Sequence, residues 1–294
     1  MNSKQTVAII GVGLIGGSIG LALRSRGLAD RVVGVGRDPG RLEEARRLGA
    51  VDSWSTDMAH GVAEAGVVVI CTPVTRIVED IRRAAESVPA GALITDAGST
   101  KRRIVEQVEQ HDPARSAFVG AHPLAGSERT GAAAARAELF EGRTCVLTPT
   151  PRTPVDRLDH ARRFWQSLGC RIVELGLEEH DQALARTSHL PHAVAAALAS
   201  AVPDDWLPLA AGAYRDGTRV AGADGALWAG IFLENRQQVF EALKAFQHQL
   251  STFEQALARS DVSAIQDWWE TARQRRQRFD DGDPGSNDLP PAGE

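Results

Sequence analysis

The chain contains no run of about 18 apolar residues, so a membrane-crossing helix is not expected. Cysteine is scarce: Cys71, Cys145 and Cys170 are the three present, none in a CxxC spacing. Neither a disulfide framework nor a zinc site is signalled, and a reducing cytoplasm is the expected location. Positive charge is not in excess either. With 33 Lys+Arg against 38 Asp+Glu the formal charge is -5, so nothing global draws the chain to nucleic acid or to an anionic membrane, and an anionic ligand must find local positive charge. The apolar run after Lys4 is broken by glycines and does not read as a signal peptide. The composition present, 43% hydrophobic and 24% charged over 294 residues, is that of a soluble globular protein with room for one large or two ordinary domains.

Thr6 to Ile10 (TVAII) is a continuous apolar run, as expected of a strand covered on both faces. GVGLIGGSIG follows at once, and helical spacing begins at Ile15. In that strand–turn–helix setting Gly11, Gly13 and Gly16 fit a dinucleotide fingerprint. Gly11 allows the tight turn, Gly13 lets the backbone approach a pyrophosphate, and Gly16 lets helix and strand pack closely. Leu14 and Ile15 stand with the phosphates at the helix N-terminus. The second strand, Arg31 to Gly36, ends where NAD-binding proteins place an acid for the adenine ribose, about 20 residues past the glycines. Gly36 and Arg37 stand there instead. A missing carboxylate beside a guanidinium favours a 2′-phosphate, hence NADP over NAD; Asp38 argues the other way.

Strand and helix patterns then alternate through Val67–Cys71, a helix from Ile77 to Val88, Ala92–Thr95, a helix from Lys101 to Glu109, and Ala117–Ala121. Alternation predicts an α/β, Rossmann-type doubly wound parallel sheet, with ligands at the carboxyl ends of its strands. Three loops face the cofactor on this reading: one at Thr72 and Pro73, one from Asp96 to Lys101, and the stretch Phe118–Gly131. Ser99 is placed to cap the following helix or to hydrogen-bond a ligand. FVGAHPLAGSERTG presents His122, Ser127 and Glu128 at a domain junction, the expected seat of the chemistry. Arg143–Thr148 and Cys170–Leu175 read as two further strands.

Alternation stops near residue 176. The expected domains are therefore 1–175 for the dinucleotide, an all-helical 176–280 for substrate and dimerisation, and a disordered tail at 281–294, rich in Asp, Gly and Pro. Within the apolar helix LARTSHLPHAVAAALA, His189 and His192 share a face and Ser188 lies beside His192, while Pro191 is expected to kink the helix. Buried polar residues in such a helix point to a ligand site. A metal lacks a third ligand at sensible spacing. His180, nine residues before His189, falls on nearly the opposite face and is set aside. YRDGTR reads as a glycine-flanked connection between helices, where Asp216 orients Arg219 to grip a carboxylate. Leu227–Leu257 reads as one long amphipathic helix whose apolar stripe forms core or a homodimer seam.

These segments together resemble the prephenate and arogenate dehydrogenases of tyrosine biosynthesis. The similar stretches are GVGLIGGS, DAGSTK at 96–101, GAHPLAGSERTG at 120–131, SHLPHAVA at 188–195, DGTR at 216–219 and LWAGIFLENR at 227–236. The resemblance implies oxidative decarboxylation: hydride leaves the hydroxyl-bearing ring carbon, the ring carboxylate departs as CO2, and the ring aromatises. It implies that His122 accepts the hydroxyl proton and that Ser99 hydrogen-bonds the same hydroxyl or orients the base. It further implies that Arg219 holds the ring carboxylate, that His192 and Ser188 contact substrate, and that His189 and Glu128 shape the pocket. Prephenate is favoured over arogenate because His192 offers a donor to a keto acid, while Glu128 would suit an ammonium; a dual-specificity cyclohexadienyl dehydrogenase is a further alternative. Neither an ACT regulatory domain nor a fused chorismate mutase is expected. A β-hydroxyacid dehydrogenase or imine reductase would share the domain order but needs a catalytic lysine, and Lys244 lies in the amphipathic helix outside any polar cluster.

Overall fold

The computed structural model describes residues 5–127 and 129–282. Glu128 and residues 283–294, most of the expected tail, lie outside the described residues, while Asp281 and Gly282 complete the last helix. In chain order the first elements are β1 (Thr6–Ile10), α1 (Leu14–Ser25), β2 (Arg31–Val35), α2 (Pro39–Arg47), β3 (Ser53–Ser55), α3 (Met58–Val62), β4 (Ala65–Ile70), α4 (Val74–Ala85), β5 (Leu93–Asp96), α5 (Arg102–Val108) and α6 (Asp112–Ala117). β6 (Phe118–Val119) and β7 (Ala121–Pro123) follow, then β8 (Thr144–Leu147), α7 (Val155–Ser167) and β9 (Arg171–Glu174).

The main sheet is parallel in the order β3-β2-β1-β4-β5-β6. Alternate residues of its strands serve opposite faces. Val7, Ile9, Val67 and Val69 pack with Ile19 and Leu23 of α1 and Trp165 of α7, while Ala8, Ile10, Val68 and Ile70 pack with Ile77 and Ile81 of α4 and Ile104 of α5. Covering both faces is what makes the strands apolar throughout. The strand order reverses between β1 and β4, the place where sheets of this kind bind their ligands.

The expected strand Ala117–Ala121 is divided. β6 ends the parallel sheet, and β7 leaves it to pair antiparallel with β8, which pairs parallel with β9 in a second, three-stranded sheet. Gly120 is the joint: a methyl group there would lie 2.6 Å from Thr148 Oγ1, and its carbonyl accepts the Thr148 amide at 3.0 Å. His122, opposite Val146, thus belongs to the smaller sheet.

The helical region comprises α8 (Leu177–Leu184), a π turn (Ala185–His189), α9 (Leu190–Ser200), a 3-10 turn (Asp204–Leu209), α10 (Gly212–Thr218), a 3-10 turn (Arg219–Gly222), α11 (Gly225–Glu234), α12 (Arg236–Ala258) and α13 (Val262–Gly282). Two expectations are corrected. YRDGTR is no loop, because Tyr214–Thr218 are helical in α10 and Arg219 opens the next turn. The single long helix is interrupted at Asn235 (φ -108, ψ 31), between α11 and α12. The chain forms two compact units, Met1–Val239 and Phe240–Glu294. In the first, Ile231 of α11 joins the core under α4. In the second, Phe253 of α12 meets Trp268 of α13 with ring centroids 4.9 Å apart.

Candidate active site

At the switch point the chain turns at Gly11 (φ +92), where any side chain would be strained and a methyl would lie 2.9 Å from the Cys71 carbonyl. A methyl on Gly16 would collide with the Gly11 carbonyl oxygen, so helix and turn touch at that point. One on Gly13 would meet nothing within 4 Å. Gly13 is also the N-cap of α1, and no side chain caps the first amides of this 12-residue helix. Open space at Gly13 and uncapped amides fit a pyrophosphate. Leu14 and Ile15 start the helix, half-buried. Thr72 follows β4 and donates to Asp80 Oδ2 at 2.7 Å, and Pro73 is the N-cap of α4. After β2, Arg37 is exposed. Asp38 caps α2, accepting from the Gly40 and Arg41 amides at 2.9 and 3.2 Å.

From β5 the loop Ala97–Lys101 leads to α5. Asp96 and Lys101 form a fully buried ion pair. Asp96 also accepts from the Gly98 amide at 2.9 Å and, by its other oxygen, from the Ala121 amide at 3.0 Å, which ties the loop to β7 beside His122. Ser99 is half-buried in this loop. It does not cap α5, whose N-cap is Lys101. Asp181 of α8 does that work instead, accepting from the Lys101 amide at 2.9 Å and the Arg102 amide at 3.2 Å.

Asp181 also carries the principal correction to the sequence reading. His180, set aside there, lies 2.9 Å by its Nε2 from His122 Nδ1, and its own Nδ1 lies 2.7 Å from Asp181 Oδ1. Burial would raise the Asp181 carboxyl, but hydrogen bonds from His180 and from the Lys101 and Arg102 amides outweigh it and hold the group below its usual range. An ionised carboxylate only accepts, so His180 donates from Nδ1. Burial first, then Lys101, lowers His180, partly opposed by Asp181. Neutral His180 therefore accepts at Nε2, His122 donates from Nδ1, and the lone pair of His122 is fixed on Nε2. His122 itself is pushed well below the ordinary histidine value by burial, then by His180, Lys101 and His189. The arrangement is a neutral imidazole base oriented from behind.

In the helical region His189 is fully buried, and burial lowers it to about 4. His192 is half-buried and stacks on Trp228 at 3.6 Å between centroids. Burial lowers His192; its bond to the Ser188 carbonyl opposes this, and the charge of Arg219 reinforces it. That carbonyl only accepts, at 2.9 Å, so the one proton of neutral His192 sits on Nδ1 and its Nε2 is an acceptor. The donor expected for a keto acid is thus present only when His192 is protonated. Asp216 and Arg219 are both exposed, and Glu128, expected to shape the pocket, lies outside the described residues. Among the described residues no group of three or more His, Cys, Asp or Glu is placed to hold a metal.

A glycine turn fitted to a dinucleotide and a neutral, oriented imidazole together equip a chain to take a hydroxyl proton while hydride leaves the same carbon, the work of an NAD(P)-dependent dehydrogenase. The chain belongs to the prephenate dehydrogenase family. Residues 19–174 match the family model "Prephenate dehydrogenase, nucleotide-binding domain" and residues 177–271 match "Prephenate dehydrogenase, dimerization domain". A prephenate dehydrogenase of Bacillus subtilis is 33% identical over 280 residues, covering 93% of this chain and 76% of the relative. A cyclohexadienyl dehydrogenase of Zymomonas mobilis is 31% identical over 283 residues, 94% and 96% of the two chains. Among solved structures, prephenate dehydrogenase from Aquifex aeolicus in complex with hydroxyphenyl propionate and NAD+ superposes with a TM-score of 0.87 at 30% identity, covering 94% of this chain and 99% of that one.

Proposed function

We propose that this enzyme converts prephenate to 4-hydroxyphenylpyruvate and CO2 with reduction of NAD(P)+, in tyrosine biosynthesis. The observation that carries the reading is the neutral His122, oriented through His180 and Asp181, in a chain of this family that also carries the glycine turn. NAD(P)+ supplies the hydride acceptor when bound. His122 Nε2 takes the ring hydroxyl proton as hydride leaves the carbon that bears it. The bond to the ring carboxylate then breaks, its electron pair aromatises the ring and passes to the former hydroxyl oxygen, and His122 returns the proton to give the phenol. Aromatisation drives loss of CO2, so the protein chiefly positions groups and removes one proton.

The remaining roles extend the same reading. Ser99 bonds the hydroxyl or orients the base, Arg219 holds the ring carboxylate with Asp216 beside it, Ser188 and His192 contact the side chain, and Glu128 with His189 shapes the pocket. Gly11, Gly13, Leu14, Ile15, Gly16, Thr72 and Pro73 hold the dinucleotide. NADP is favoured over NAD because Asp38 is engaged as a helix cap, which leaves Arg37 to meet a 2′-phosphate. The part to residue 175 binds the dinucleotide, and the part from 176 binds substrate and pairs two copies of the chain in the cytoplasm. Arogenate is the second reading, favoured by the acceptor Nε2 of neutral His192, which suits an ammonium. Initial rates with prephenate and arogenate, each with NAD and NADP, test the reaction, the substrate and the cofactor choice. The expected optimum is prephenate with NADP; turnover of arogenate alone would reverse the substrate assignment, and failure with both would remove the function.

A further inference from the structure

The apolar spacing of LWAGIFLENRQQVF runs through Asn235 without a break, yet the helix is interrupted there. The backbone hydrogen bonds survive on both sides, from the Asn235 amide to the Ile231 carbonyl (3.1 Å) and from the Val239 amide to the Asn235 carbonyl (3.0 Å). The bend is thus confined to one residue, and that residue is buried. Its side chain explains the bend. Nδ2 lies 2.7 Å from the carbonyl oxygen of Asp181 and 3.3 Å from His189 Nδ1. A carbonyl oxygen only accepts, so the atom facing it is the amide nitrogen, and an amide nitrogen only donates. His189 Nδ1 must then accept, and the proton of neutral His189 sits on Nε2. That Nε2 is buried and has no partner among the described residues. Buried donors of this kind are rare and costly unless something arrives to accept from them. Asp181 and His180 on α8, His192 on α9 and His122 on β7 are the titratable groups around His189, with Trp228 of α11 edge-on at 6.1 Å between centroids.

We propose that Asn235 is a positioning residue: by donating to His189 Nδ1 it presets His189 as an Nε2–H donor to a substrate oxygen, and by the same nitrogen it pins the backbone of α8 at Asp181, next to His180. The substrate part of this proposal rests on the function proposed above, whereas the tautomer part does not. One amide therefore serves both histidines of the helical region that lie behind the reacting groups. His180 is held in line by its neighbour Asp181, and His189 is held in the tautomer that an oxygen ligand requires.

The test uses the full chain labelled with 15N at histidine, with long-range 1H–15N imidazole spectra at pH 7.5 and the His189 signals assigned by their loss in His189→Gln. The wild type is expected to show protonated Nε2 and bare Nδ1. Asn235→Asp replaces the donor by an acceptor, so His189 should change to an Nδ1–H or doubly protonated ring. kcat/KM should fall about tenfold or more while cofactor affinity stays within about twofold. Asn235→Ala, which removes the donor without supplying an acceptor, should give mixed tautomers and a smaller loss, and it decides the matter if the aspartate variant does not fold. An Nδ1–H tautomer in the wild type, an unchanged tautomer in both variants, or a changed tautomer with unchanged kcat/KM would each overturn the proposal. The spectra need no substrate, so a wild type inactive on prephenate and arogenate would refute the assigned reaction and leave the tautomer result standing.

Discussion

As the proposed base His122 must be uncharged, and its surroundings depress it well below the ordinary 6.5. Depression extends the active window toward acid: kcat/KM should stay level through neutral pH and decline only below pH 6.5, and a midpoint above that value would contradict the burial argument. His122→Asn should cut kcat by about two orders of magnitude or more with cofactor affinity nearly intact; unchanged kcat would exclude His122 as the base. His189 links acidity to stability. Folded His189 is held at about 4 against 6.5, so between those values the unfolded chain binds the extra proton and stability falls as pH falls. Its share is about 3 kcal/mol at most, visible as a declining Tm from pH 6.5 to 4 that His189→Gln should make shallower, with the depressed His122 and His180 supplying the remaining slope.

Two glycines at the start of α1 carry opposite expectations. Gly16→Ala forces α1 off the Gly11 turn and should lower Tm, whereas Gly13→Ala meets no protein atom and should leave Tm unchanged while weakening NAD(P)H binding, read by cofactor fluorescence. If both behaved alike, the cradle would not be where the turn places it. Asp181→Asn tests the element that caps α5. The replacement amide keeps its oxygen where Oδ1 accepts from both His180 and the Lys101 amide, so both histidine tautomers should survive and kcat should fall by no more than about tenfold, whereas Asp181→Leu removes the acceptor and should cut kcat on the order of 100-fold. The glycine turn and its strands were legible because a twice-covered sheet writes continuous apolar runs, and His122 because its motif is distinctive. His180 was not. Nine residues at about 100° each place it opposite His189 on a regular helix, but the π turn at Ala185–His189 underwinds the chain between them and changes the face. The bend at Asn235 was hidden because apolar spacing continues across it, and the Asp96–Lys101 pair because a charged residue gives no sign in sequence of being fully buried.

At the scale of the molecule, Phe240, Leu250, Leu257, Val262, Trp269 and Phe279 of the second unit are all more than two-fifths exposed. Apolar surface of this kind on helices matched by a dimerisation-domain model fits a pair of chains. Sedimentation should give a dimer, and Trp269→Glu with Leu257→Glu should give monomers; a monomeric wild type would remove the homodimer. The joint at Gly120 has a kinetic reading as well. The Ala121 amide hydrogen is held by the buried side chain of Asp96 instead of by a neighbouring strand, so it meets solvent deuterium when the two sheets part beside His122. Its exchange rate is therefore a clock for the opening of the strand that carries His122, separate from the unfolding of the parallel sheet.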